Sequence, residues 1–349
     1  MTTLAPSRAA SDVANGIGGF AQAVLPIGRV FCAQRHLDRI RPGVGAVTVV
    51  DWLLDSDPAI RWQVMRDLTD EPADVVTAER SRVASEGWGA RLLALQGSDG
   101  QWGGTYFPEW TSTTNTLTLL RYMGLDPLSA EARRAVALVR DNAKWEHAGQ
   151  PYFSGEVEPC INGTAVAIGS YFGEDVNGIV DRLLSEQLSD GGWNCEAERG
   201  STRSSFNTTI DVLDGLLEHE RAVGAPAEVT AARHKGEEYL LDRHLFRRLS
   251  NGEVVNAEWL RFSFPPRYFY DVLRGLDYLR SADAEPDERC AEAIDLVTSK
   301  RAEDGRWPLE NPHPGLVYFD MDDGEGKPSR WNTLRAMRVL SWYEHGPVG

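Results

Sequence analysis

Apolar residues recur at three- and four-residue spacing along most of the chain, the period of helices with one buried face. Three such stretches, 78–95, 176–188 and 289–300, lead into the same short pattern. Its copies are Asp99-Gly100-Gln101-Trp102, Asp190-Gly191-Gly192-Trp193 and Asp304-Gly305-Arg306-Trp307, led three residues earlier by Gln96, Gln187 and Arg301. An Asp-Gly pair makes a tight turn because glycine takes a positive φ without strain. The tryptophan brings a large apolar surface that can fasten the turn to a neighbour.

A second helix follows each turn, predicted over 110–122, 204–218 and 328–343. Three more segments, 58–68, 159–172 and 265–279, suit the same role without the turn. Four of the six start at proline (Pro58, Pro159, Pro265, Pro328), which suits a first helical turn because its missing N–H costs nothing there. A fifth starts at Ser204-Ser205, which can cap the free N–H groups. The starts recur every 45 to 63 residues, room for one outer and one inner helix.

Six helical hairpins close naturally into a ring. The predicted fold is therefore all-α, an (α/α)6 toroid with six inner and six outer helices around a central cavity. An open superhelical solenoid is the alternative. The toroid is expected over residues 47–349. Residues 1–46 are Ala/Gly-rich and weakly patterned, a poor signal peptide that reads as a flexible arm.

Composition narrows the function. A net charge of −16 opposes nucleic-acid binding and docking on anionic membranes. No apolar run reaches the roughly 18 residues of a bilayer span. Cys32, Cys160, Cys195 and Cys290 form no CxxC pair and read as reduced thiols of a cytoplasmic protein.

The Gln-x-x-x-Gly-x-Trp turns resemble the QW repeats of squalene-hopene cyclases. The run Ser204-Ser205-Phe206-Asn207-Thr208-Thr209-Ile210 and the segment Glu158-Pro159-Cys160-Ile161-Asn162 resemble consecutive repeats of protein prenyltransferase β-subunits. The resemblance spans about residues 51–343 and implies the terpenoid-cyclase and prenyltransferase toroid, with an isoprenoid-like ligand in its cavity. This chain has length for one barrel, where squalene cyclases carry two. The prenyltransferase likeness further implies zinc held by an Asp-x-Cys pair plus a histidine, and a helical partner subunit. Here the pair reads Glu158-x-Cys160, and Asn207 stands at the histidine position, a poor zinc ligand.

Four constellations could carry chemistry. Cys160 opens the third inner helix and Cys195 lies in the loop before the fourth, so adjacent helices bring them together. With Glu158, and Glu196, His147 or His313 as a fourth ligand, they would make a zinc site. Magnesium is the other metal expected. The alternative is two small buried apolar thiols.

Asp320-Met321-Asp322-Asp323 matches the Asp-x-Asp-Asp motif by which class II terpene cyclases protonate an alkene. Neighbouring carboxylates raise one another's pKa, which suits a general acid. The flexible run Gly324-Glu325-Gly326-Lys327 follows, so a solvated loop is the competing expectation.

Arg61, Arg203, Arg267 and Arg330 lie near inner-helix starts and could form an anion-binding rim or pair with nearby glutamates. The cavity wall is expected from Trp62, Trp110, Thr113, Thr114, Asn162, Phe206, Asn207, Thr208, Tyr268, Tyr270, Asp271, Trp331 and Asn332. Aromatic faces there would stabilise cations. Two other readings remain: a sugar-active toroid using Asp271 with Tyr268, and a binding or scaffold protein without chemistry.

Overall fold

The computed structural model describes residues 47–106 and 109–346. The expected arm, residues 1–46, lies outside them. Among the described residues there are thirteen α-helices joined by loops and short 3-10 turns. They are α1 (Val49–Leu54), α2 (Pro58–Leu68), α3 (Ala73–Ser81), α4 (Gly87–Ala94), α5 (Thr113–Tyr122), α6 (Ala130–Asn142) and α7 (Pro159–Phe172). The rest are α8 (Asn177–Ser185), α9 (Phe206–Val223), α10 (Ala227–Leu241), α11 (Val272–Ser281), α12 (Ala291–Ser299) and α13 (Arg330–His345).

Helices α2, α5, α7, α9, α11 and α13 form the inner ring. Consecutive members pack from α5 through to α13, and α13 packs on α2. The remaining joint, α2 to α5, is made by Trp62 Nε1 donating to Met123 O at 2.8 Å and Gln63 Nε2 donating to Tyr122 O at 3.2 Å. Arg338 on α13 donates to Gln63 Oε1 at 3.0 Å, so the ring is closed. The pair α3–α4, then α6, α8, α10 and α12, form the outer layer. Helix α1 completes it beside the third Trp turn, where Arg306 stacks on Trp52. The tightest inner crossing is α7 against α9: a Cβ on Gly163 would lie 2.5 Å from Asp211 O.

The three Trp turns share one hydrogen-bond design. Trp102, Trp193 and Trp307 are fully buried, and each Nε1 donates at 2.7 Å to the outer helix before it, at Leu92, Leu183 and Val297 O. Each Trp backbone N–H donates to a threonine of the following inner helix, Thr113, Thr209 or Thr333, at 3.0–3.1 Å. Gln96 and Gln187 close their turns and also donate to the next outer helix, at Ala135 O and Ala232 O. Arg301 instead lays its guanidinium 5.6 Å over Trp307.

Two inner helices begin at proline, α2 and α7, with the bounds expected. The expected helix over 265–279 starts later, at Val272. Pro265 and Pro266 follow one another, and Arg267 takes φ +59°, a left-handed conformation that stops a helix. Asp271 caps α11 instead, accepting from Arg274 N at 2.7 Å. The expected outer helix over 78–95 is broken between α3 and α4, where Gly87 takes φ +64°. Ser112, Ser205 and Ser329 cap α5, α9 and α13.

Long loops gather at the N-terminal ends of the inner helices. One of the two longest, residues 300–329, reaches over that end. Trp110 Nε1 donates to Pro314 O at 2.6 Å, and Tyr318 Oη donates to Thr111 O at 2.9 Å. This segment is a strap across the mouth of the ring.

Candidate functional site

Beneath the strap lies a cavity of about 350 Å³ with a mostly apolar wall, including Trp110, Leu119, Phe264, His313 and Phe319. Asp320 and Asp322 are part of that wall. Asp320 and Asp323 are exposed, whereas Asp322 is half-buried. The strap folds back on the start of α13. There the Asp322 carboxylate accepts from Ser329 Oγ at 2.9 Å and from Arg330 N at 3.1 Å. Two donors at a helix N-terminus ordinarily lower a carboxyl pKa. Burial outweighs them and pushes Asp322 up to about 6. The fully solvated loop expected from Gly324–Lys327 is not observed at Asp322. The turn through Gly324 and Gly326, both at positive φ, is what lets the acid return to the helix.

Other groups on this wall are apolar or weakly paired. Phe319 lies under the Arg91 guanidinium at 3.8 Å. His313 stacks on Phe269 at 4.1 Å, and burial pushes its pKa down to about 4, so its ring is neutral at pH 7. Its Nε2 has no hydrogen-bond partner. Arg267 is buried, with its guanidinium 4.7 Å over the Trp110 ring, and desolvation lowers it to about 10. Its Nη1 has no acceptor.

The four arginines expected as a rim do not converge. Arg61 pairs with Glu79 at 2.6 Å on the outer layer. Arg203 is exposed in the loop before α9. Arg330 stacks on Trp52 at 4.5 Å and donates to its carbonyl. Arg267 alone of the four lines the interior.

Many expected wall residues are fasteners. Thr113 holds the Trp102 turn. Asn162 is fully buried and makes two 2.7 Å bonds to the Glu156 backbone. Asn207 Oδ1 accepts from Tyr270 N at 2.8 Å, and Tyr270 Oη donates to Leu245 O at 2.7 Å. Asn332 Nδ2 donates to Pro308 O at 3.0 Å. The Asp271 oxygens are taken by Ser263 and the α11 N-terminus, while the Tyr268 ring packs at a tilt against Trp110 and Phe269. Phe206 sits in an aromatic cluster with Tyr239, Trp259 and Tyr270. Thr114, which borders the narrow centre of the ring, is likewise tied down: its hydroxyl donates to Thr105 O at 2.8 Å and accepts from Tyr152 Oη at 3.1 Å.

Glu158, Cys160 and Cys195 are brought together, with one ligand atom from each within 4.8 Å of the others. The Cys195 and Cys160 sulfurs are 2.8 Å apart, and Cys195 Sγ is 3.4 Å from Thr208 Oγ1. The hydrogen bond between them raises the Cys160 pKa and lowers that of Cys195. Neither His147 nor His313 belongs to this group. Glu196 pairs with Arg199 at 2.9 Å.

The interior is not one continuous cavity. Between α5, α7, α9 and α11 it narrows to about 20 Å³, room for about one water. Arg274 fills this level, donating to Asp211 at 2.6 Å and to Asp214 at 3.3 Å. Asp211 is fully buried, and burial lifts it to about 7 despite Arg274. Phe264, Arg274 and Asp211 went unread in the sequence; a charged pair inside two apolar helix patterns was the available signal.

No protein-family model matches the chain, and no curated protein matches it. Among solved structures, the chain is similar to a protein from Actinoplanes at 16% identity and a TM-score of 0.42, covering 83% of this chain and 90% of that one. It is also similar to type II terpene cyclase MstE from Scytonema. A variant in complex with its product merosterolic acid A matches at 16% identity and a TM-score of 0.38, over 82% of this chain and 86% of that one. A second variant, without ligand, matches at 16% identity and a TM-score of 0.37, over 82% and 85%.

Proposed function

We propose that the cavity beneath the strap holds an elongated, isoprenoid-like polyene and that Asp322 starts its cyclisation by protonation. One observation carries this reading: a half-buried carboxyl, which burial pushes up to about 6, on the wall of a mostly apolar cavity. The volume of about 350 Å³ falls within the range of small-molecule sites, roughly 300–1,000 Å³. The Asp322 proton passes to a terminal alkene carbon. A C–H bond forms, the π bond breaks, and the tertiary cation left behind is attacked by the next alkene. A final proton loss to water closes the sequence, and solvent reprotonates Asp322. The face of Phe264 turned away from Trp331 stabilises the cation. Arg267 offers a polar end of the ligand its unpaired Nη1 region. The test is turnover of acyclic polyprenyl alcohols by the wild type and by Asp322→Asn, whose carboxamide keeps the shape and removes the acid.

A second reading rests on a different observation, the convergence of Glu158, Cys160 and Cys195. Two thiolates and a carboxylate are three ligands of a tetrahedral zinc centre, and thiolate donors do not suit magnesium. Zinc would supply Lewis-acid or thiolate chemistry at the mouth of the ring. Metal analysis of the purified chain tests it.

A further inference from the structure

The C-terminal ends of the inner helices enclose a larger cavity, of about 510 Å³. Eight arginines and three carboxylates line it, inside a chain whose net charge is −16. Helix dipoles favour cations at C-terminal ends. They do not account for Arg274, in the first turn of α11, or for Arg335 and Arg338, in the middle of α13. These three side chains are more than nine-tenths buried.

The carboxylates nearby do not neutralise this set. Arg80 donates to the neutral acceptors Gly124 O at 2.8 Å and Tyr171 Oη at 3.0 Å. Arg121 reaches Glu218 at 3.3 Å and Asp214 at 3.7 Å, loose distances for ion pairs, and shares both acids with other arginines. Arg121, Arg274 and Arg338 each leave Nε without an acceptor. Asp277 pairs with Arg280 at 2.9 Å and Arg335 at 3.3 Å, and Asp67 and Asp211, just outside the lining, pair with Arg66 and Arg338 and with Arg274, so five carboxylates face eight guanidiniums and an excess of positive charge remains. Burial lowers Arg338 to about 10, still charged at pH 7. Aromatic faces complete the cavity: Trp62 lies beneath the Arg66 and Arg80 guanidiniums at 4.6 and 5.2 Å, and Trp331 lines the far side.

We infer that this cavity is a binding site for a small organic polyanion, a di- or polyphosphorylated molecule or a polycarboxylate. Guanidiniums present planar paired donors that match phosphate and carboxylate oxygens. A partly desolvated cluster of them is stabilised by an anion that replaces the missing carboxylates. The site is separate from the Asp322 cavity, and the inference does not rest on the cyclisation reading.

Inorganic pyrophosphate is the probe, titrated calorimetrically into the full chain at constant ionic strength. Saturable binding at one site is expected. Arg80→Gln and Arg221→Gln are each expected to weaken it at least tenfold while circular dichroism stays unchanged. The Arg221 side chain is about half exposed, so that variant tests charge without disturbing the core. Asp322→Asn is expected to bind pyrophosphate as the wild type does, so failure of the cyclisation reading leaves this result standing. Absence of saturable heat, or binding unaffected in both arginine variants, would overturn the inference.

Discussion

Phe264 lies flat on Trp331, with ring centroids 4.2 Å apart and planes 11° from parallel. Phe264 lines both the strap cavity and the arginine cavity, so this stacked pair is the partition between them. Phe264→Ala should open one space into the other and cost about 3 kcal/mol, the lower end for a buried phenylalanine because cavities already flank it. Denaturant midpoints check the loss. A variant as stable as wild type would mean that the stack holds nothing in place.

Asp322 gives stability a particular pH dependence. Its carboxyl titrates at about 6 when folded, above the value of about 4 expected in the unfolded chain. The folded state therefore binds the proton more tightly. Its contribution is intact below pH ~4, declines as pH rises to ~6, and is lost above that. Asp322→Asn should flatten this decline and leave the protein as stable as wild type, or more so, at pH 7. The full difference is worth at most about 3 kcal/mol. Urea unfolding at pH 4, 6 and 8 measures it, and a variant with the wild-type slope would place the titration elsewhere. Activity requiring the protonated acid should fall through the same pH.

Gly191 and Gly200 separate two costs of a side chain. Both hold positive φ, +98° and +94°. A Cβ at Gly191 would stand 2.5 Å from Lys235 O, whereas nothing lies within 4 Å at Gly200. Gly200→Ala should cost about 1 kcal/mol for the backbone conformation. Gly191→Ala should cost about 2–3 kcal/mol, because α10 must also move. Equal losses would show that the Trp turn is not pressed against α10.

Trp193→Phe should keep most of the apolar burial and lose the bond to Leu183 O. An unsatisfied buried carbonyl costs about 1–3 kcal/mol. Trp102→Phe and Trp307→Phe should lose less, since Leu92 O and Val297 O each keep a backbone donor, Leu95 N at 3.0 Å and Lys300 N at 3.3 Å. Equal losses at all three turns would contradict this distinction.

Zinc should copurify at one ion per chain and disappear in both Cys160→Ser and Cys195→Ser. A metal-free wild type with both thiols titratable would remove the zinc reading and leave the Asp322 reading untouched.

Much of the fold was legible because its cues are local. An Asp-Gly turn followed by tryptophan, a proline at a helix start and a serine cap each act within a few residues. Pro58 and Pro159 therefore marked helix starts correctly. Pro265 and Pro328 did not: Pro266 and the left-handed Arg267 delay α11 to Val272, and Ser329 caps α13 so that it begins at Arg330. Cys160 and Cys195 could be paired because ring topology alone brings successive loops together. Direction was not legible. Arg61, Arg203, Arg267 and Arg330 share a place near helix starts, but their side chains leave in different directions. Arg335 and Arg338, one turn apart on α13, point inward instead. The burial of Asp322 also escaped, since it depends on the loop through Gly324 turning back onto Ser329.

The most direct test of the central claim is deuterium transfer. Acyclic polyprenyl alcohols are incubated with the protein in D2O, and the products are examined by mass spectrometry. The account predicts a cyclic product carrying one non-exchangeable deuterium at the carbon first protonated, absent with Asp322→Asn. A deuterated cyclic product formed equally well by Asp322→Asn, or no product from any chain length with the folded wild type, would contradict it.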